Sequence, residues 1–182
     1  MDSSELRRIE RQTRWRYEWS RARRALLGFA PATILVALAV TFAARPLLTM
    51  TFGVLLFLWG AVLLWQGREL KRSVLPGVGA GLLPLSLAIC ANRIGHVCLE
   101  GSCTMLCVPA CTVGGLGAGI LLSRVGRGSR HGLGVWLAAS ATALLTGAMG
   151  CICIGSAGLA GLLLGYSVGS APLLLRLVFA GK

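Results

Sequence analysis

Leu133 to Leu175 reads LGVWLAASATALLTGAMGCICIGSAGLAGLLLGYSVGSAPLLL and contains no Asp, Glu, Lys, Arg or His. A helical membrane crossing takes about 20 predominantly apolar residues. The stretch is therefore long enough to cross twice, with CICIGS, Cys151 to Ser156, as the natural turn between the crossings. Inside a bilayer the backbone must satisfy its own hydrogen bonds, which a helix does within a single segment. Two helices, over 133–150 and 157–175, are the expected outcome.

Working back towards the N-terminus, four more apolar runs of similar length appear, at 25–43, 47–65, 74–91 and 104–122. They are divided by Arg45-Pro46, by the basic loop GRELKRS (Gly67 to Ser73), by the polar loop NRIGHVCLEGSC (Asn92 to Cys103) and by the basic loop SRVGRGSRHG (Ser123 to Gly132). The first run follows a long basic lead, spans a full bilayer and is followed at once by a second span, so it reads as an uncleaved anchor. The expected fold class is all-α: a polytopic six-transmembrane-helix bundle over residues 25–179, preceded by a short cytoplasmic amphipathic helix within residues 1–24. Composition agrees. The 182 residues are 55% hydrophobic and 13% charged, whereas a soluble domain carries about 25% charged residues.

The basic residues are one-sided. The N-terminal segment, the 67–73 loop, the 123–132 loop and the C-terminus hold eight, three, three and two Lys or Arg, and the opposite side holds only Arg45 and Arg93. Sixteen against two, under the positive-inside rule, predicts that both termini are cytoplasmic. The net charge of +12 is thus a topological signal, and direct nucleic-acid binding is not expected.

With that topology all seven cysteines fall on the outer half. Cys90 ends the third span and Cys98 lies in the outer loop. Cys103, Cys107 and Cys111 enter the fourth span, and Cys151 and Cys153 lie in the last outer turn. Cys103, Cys107 and Cys111 are spaced to share one helix face, and Pro109 within that run is expected to kink the helix and open a pocket. Three readings stand side by side. The cysteines serve as small apolar packing residues; or they form disulfides in an oxidising compartment, for example Cys98 with Cys103, or Cys103 with Cys151 or Cys153; or, with His96, Met105 and Met149, they hold a soft metal ion such as Cu(I) or Zn. An odd count leaves one thiol over.

Catalysis has no support. The six acidic residues, Asp2, Glu5, Glu10, Glu18, Glu69 and Glu100, all lie outside the spans, so no proton relay is visible. His96 and His131 fall on opposite sides of the membrane. Gly161, Gly165 and Gly169 on the last span, and Gly115 and Gly119 on the fourth, mark faces for close helix approach. These faces suit packing within the chain, with a homo-oligomer as the alternative. At the N-terminus Leu6, Ile9, Thr13 and Tyr17 form a thin apolar stripe, and Trp15 and Trp19 stand one turn apart at the expected headgroup level.

Three features together, RIERQTRWRYEWSRARRALL at the start and the cysteine-bearing CLEGSCTMLCVPAC and GCICIGSAG at the outer ends, resemble the bacterial membrane-embedded anti-sigma factors of the NrsF-like and CarR-like types. The resemblance covers most of the chain in layout. It implies an inner-membrane regulator whose cytoplasmic segment, through Leu6, Arg7, Arg8, Ile9, Arg11, Arg14, Trp15, Tyr17 and Trp19, holds an extracytoplasmic-function sigma factor. Redox chemistry or metal binding at Cys98, Cys103, Cys107, Cys111, Cys151, Cys153 and His96 would then release it. The alternatives are a thiol-redox or metal-handling membrane protein and a structural subunit of a membrane complex. Lipid contact by the basic segment is expected in each case, at about 1 kcal/mol per Lys or Arg near an anionic surface.

The sidedness has a direct test. A reporter fused after Lys182 is expected to be active only in its cytoplasmic form, and the same reporter placed at Glu100 only in its exported form.

Overall fold

The structure, a computed structural model, describes residues 10–11, 13–20, 23, 27, 30–42, 46–66, 68–94, 96–99, 102–127, 132–152 and 155–180. Among the described residues from Ala30 onward the elements are, in order, α1 (Ala30–Phe42), α2 (Pro46–Gln66), α3 (Arg68–Ile94), β1 (His96–Leu99), β2 (Ser102–Met105), α4 (Cys107–Arg127), α5 (Gly132–Cys151) and α6 (Ser156–Ala180). Residues 13–20 are helical as well.

Five of these helices, α2 to α6, are long and apolar enough to cross a membrane, and α1 contributes a shorter apolar helix, Ala32–Thr41. The 21 residues of α2 rise about 32 Å at 1.5 Å each, which matches a hydrocarbon core of about 30 Å. Large apolar side chains face outward. Leu47 is 82% exposed, Leu75 83% and Leu164 66%. Such a surface suits lipid and would be a liability in water. The chain is a multi-pass membrane protein; part of the expected first span, 25–43, lies outside the described residues.

Two helix boundaries differ from expectation, each for a local reason. Of the segment read as a basic loop, 67–73, residues 68–73 are the first part of α3. Glu69, Leu70, Lys71 and Arg72 are good helix formers, and Ser73, which is buried, returns its hydroxyl to the Leu70 carbonyl. At the other end α3 runs on through Asn92 and Arg93 to Ile94, and the remainder of the expected outer loop pairs as an antiparallel hairpin. Its register is His96↔Met105, Val97↔Thr104, Cys98↔Cys103 and Leu99↔Ser102. Two residues, Glu100-Gly101, separate the strands, the commonest hairpin connection length.

The hairpin corrects the cysteine stripe. Cys103 belongs to β2 and not to the fourth helix, so of the three expected to share a helix face only Cys107 and Cys111 lie on α4. Pro109 explains where the helix begins. In a helix interior proline loses a backbone bond and clashes with the carbonyl four residues back. In the first turn, where N–H groups have no intrahelical partner anyway, it costs little. The helix therefore starts at Cys107, with Pro109 in its first turn and not in the helix interior.

Glycine sets the packing. Gly115 approaches the Leu162 carbonyl oxygen of α6, and Gly165 and Gly169 approach the Thr112 and Leu116 carbonyl oxygens of α4. A methyl added at Gly119 would lie 2.6 Å from the Tyr166 carbonyl oxygen. Contacts advance together along both helices, so α4 and α6 run parallel. In the same way methyls at Gly77 and Gly81 would lie 2.8 Å and 2.7 Å from the carbonyl oxygens of Ala139 and Ala143, so α3 runs parallel to α5. The glycine faces picked out on the fourth and last spans are spent on contact within the chain. Between the two parallel pairs sits Pro84 of α3, buried, with Gly114 of α4 and Gly147 of α5 packed against it. A core cluster of Ala80, Ala118, Leu122, Trp136, Ala139, Ala143, Tyr166 and Leu173 draws on all four helices.

Gly165→Ala places a methyl against the Thr112 carbonyl and should cost about 1–3 kcal/mol, the usual range for overpacking. Gly79→Ala, with nothing within 4 Å of the added methyl, should be neutral or slightly stabilising, since alanine is the better helix former. Thermal unfolding of the two variants in the same detergent checks the contrast.

Candidate functional site at the thiol-bearing end

The direction of the helices gathers the cysteines. Because α3 and α5 run one way and α4 and α6 the other, the C-terminal ends of α3 and α5 lie at the same end of the bundle as the N-terminal ends of α4 and α6. A bond from the Thr49 hydroxyl, near the start of α2, to the Met149 carbonyl, near the end of α5 (3.3 Å), places the start of α2 there too. Cys90, Cys98, Cys103, Cys107, Cys111 and Cys151 all belong to this end. The opposite end carries Lys71, Arg72 and Arg124, all exposed. Two chemically distinct poles result, one of thiols and one of cations.

Within the thiol end the residues fall into tiers. Cys90 is exposed on α3, Cys107 is half-buried in the first turn of α4, and Cys111 and Cys151 are fully buried. These four are thiols, not disulfides. Cys98 and Cys103 are directly opposed across the hairpin. Opposed residues in an antiparallel pair have Cα atoms about 4.5–5.5 Å apart, inside the range of about 4.4–6.8 Å that a disulfide spans. Strand residues two apart share a face, and so do opposed pairs, so the backbone places His96, Cys98, Cys103 and Met105 on one face of the hairpin. Cys153, the seventh cysteine, lies outside the described residues.

Beneath the hairpin, Cys111 and Cys151 lie together inside a buried cluster that also contains Ala88, Ala148 and Leu162. This pairing was not anticipated from the sequence. The possible pairs read from the sequence joined Cys103 with Cys98, Cys151 or Cys153 and left Cys111 out. Once Pro109 sets the helix start at Cys107, Cys111 becomes the residue one turn inside α4, level with the last residue of α5.

Among the described residues no three His, Cys, Asp or Glu side chains come together as a metal site. Deeper in the bundle the polar groups are engaged in structure. Tyr166 of α6 donates to the Ser140 hydroxyl of α5, and Ser140 donates to the Trp136 carbonyl at 2.7 Å.

The N-terminal residues behave differently. Trp15 and Trp19 stack, with ring centroids 5.9 Å apart and parallel planes. Both are exposed, as are Tyr17, Arg11 and Arg14. Arg14 lies 3.8 Å from Glu18 in an exposed i,i+4 pair, of a kind that contributes only about 0.3–0.5 kcal/mol. Leu6, Arg7, Arg8 and Ile9 lie outside the described residues.

These features define a class: a multi-pass helical membrane protein with a thiol pole and a cationic pole. No family model matches the chain, and neither do curated proteins or solved structures.

The burial predicts an order of reactivity. In the native protein in mild detergent, Cys111 and Cys151 should resist alkylation by a charged maleimide and become fully labelled only after denaturation, as read by peptide mass spectrometry. Labelling of both at the rate of a free peptide thiol would contradict the packing described.

Proposed function

We propose that this protein is a membrane-embedded anti-sigma factor. Six helices cross the bacterial inner membrane, both termini are cytoplasmic, and the thiol pole faces the outer compartment. The N-terminal segment holds an extracytoplasmic-function sigma factor, and redox or soft-metal chemistry at the outer cysteines loosens that hold. The observation that carries this reading is the separation of the two poles: thiols gather where an external signal arrives, and cations where the positive-inside rule expects the cytoplasm. The resemblance in the N-terminal and cysteine-bearing stretches supplies the partner.

Two further features support it. The Trp15–Trp19 stack and its neighbouring arginines are exposed and spent on no other part of the described chain, as a docking or headgroup-level segment requires. The opposed Cys98 and Cys103 give the signal a chemical target, since paired thiols convert to a disulfide with little backbone movement. A second reading, a thiol-redox or metal-handling protein with no cytoplasmic partner, draws on the shared hairpin face of His96, Cys98, Cys103 and Met105, donors that suit a soft ion such as Cu(I).

The full-length protein, solubilised in mild detergent from its source cell, should retain a sigma factor on affinity purification. Arg11→Glu with Arg14→Glu should weaken that retention by roughly tenfold, equivalent to about 1.4 kcal/mol. Cys98→Ser with Cys103→Ser should leave retention intact while blunting the transcriptional response to oxidant or metal. Absence of any retained sigma factor, with one atom of copper or zinc per chain by elemental analysis, would favour the second reading.

A further inference from the structure

We infer that Cys111 and Cys151 form a second, membrane-embedded redox site, a dithiol that closes to a disulfide and covalently joins the two parallel helix pairs. The inference shares with the functional reading above the premise that the thiol pole meets oxidants, but it concerns a different pair and requires no sigma factor.

The geometry is specific. Cys111 lies on α4, which is packed along α6, and Cys151 on α5, which is packed along α3. They meet in one buried cluster that draws on both pairs, and both are fully buried. One partner is the last residue of its helix and the other is one turn into its helix, so closing the bond need not unwind a span. The surroundings, Ala88, Ala148 and Leu162, are apolar. A charged oxidant is excluded by that environment, and a small uncharged one is admitted. The pair is therefore matched to oxidants that partition into the bilayer.

Diamide, a small uncharged diazene, provides the probe. One thiol adds across its N=N bond, placing sulfur on one nitrogen and the thiol proton on the other. The second thiol attacks that sulfur, the S–N bond breaks, and its proton passes to the departing nitrogen. The products are one disulfide and one hydrazine, with both electrons from the two thiols accounted for.

The full-length protein in detergent is treated with diamide, alkylated under denaturing conditions and digested without reduction. A Cys111–Cys151 cross-linked peptide is expected in the wild type and equally in the Cys98→Ser, Cys103→Ser variant, and it should disappear on reduction. Oxidised wild type should unfold at a midpoint higher by roughly 5–10 °C, a shift lost in Cys111→Ser and in Cys151→Ser. Recovery of both residues fully alkylated after diamide, in protein whose Cys98–Cys103 peptide is cross-linked, overturns this site and leaves the hairpin reading standing. Cross-linking of Cys111–Cys151 alone supports this site and counts against the hairpin. A Cys151 cross-link to any residue other than Cys111 also overturns it.

Discussion

Two helices can lie with their backbones in contact only where neither has a side chain in the way, and this constraint organises the whole bundle. In lipid, apolar surface gives helices no reason to associate with one another instead of with acyl chains, so close van der Waals contact must supply the attraction. The chain meets this with glycine rows. Gly115 and Gly119 interleave with Gly161, Gly165 and Gly169 to make one parallel pair, while Gly77 and Gly81 lie along Ala139 and Ala143 to make the other. The interior is accordingly rich in alanine and the lipid side in leucine, the reverse of the size ordering that a water-soluble core favours.

Polar links between helices are sparse by comparison. Most buried hydroxyls turn back to their own helix. Thr142 donates to the Ala138 carbonyl and Thr146 to the Thr142 carbonyl, each at 2.8 Å. Such bonds remove the penalty of burying a hydroxyl but hold no second helix. Thr49 to Met149 and Tyr166 to Ser140 do cross between helices. In bilayers bonds of this kind average about 0.6 kcal/mol, so they fix rotation and register more than they add stability. Shape carries the fold, which is why a single methyl at Gly165 matters and one at Gly79 does not.

The class of fold was legible because hydropathy and charge are properties of composition along the chain, and in a membrane they have few alternative solutions. The uncharged stretch Leu133 to Leu175 becomes α5 and α6, with the turn at Gly155, whose φ of 82° is a left-handed conformation suited to glycine. What was not legible lay at the helix ends, where competing local preferences are close in energy. GRELKRS is charged enough to be a loop and helix-forming enough to be a helix, and tertiary packing of Ser73 and the residues after it decided for helix. The spacing of Cys103, Cys107 and Cys111 fits a helix perfectly well; the strand register of Cys98 and Cys103 overrides it. The Cys111–Cys151 contact depends on how α4 and α5 face each other, and one-dimensional periodicity carries no information about that.

The arrangement of the two parallel pairs also bears on how a change at the thiol end reaches the far end. A helix is stiff along its axis, so pairs bound through glycine rows move as units, and relative motion concentrates at the boundary between them. That boundary contains Pro84, seated between Gly114 and Gly147. Proline removes the N–H that would bond the Ala80 carbonyl, which makes α3 easier to bend here, as it does at Pro76. Towards the thiol pole the same boundary holds the Cys111–Cys151 contact, and towards the cationic pole the helices end near Lys71, Arg72 and Arg124. Were one pair displaced against the other at the sulfur atoms, as the proposed function requires, Pro84 would be a natural pivot, and the spacing of the cationic helix ends would change without any span having to unfold or any charge having to cross the bilayer.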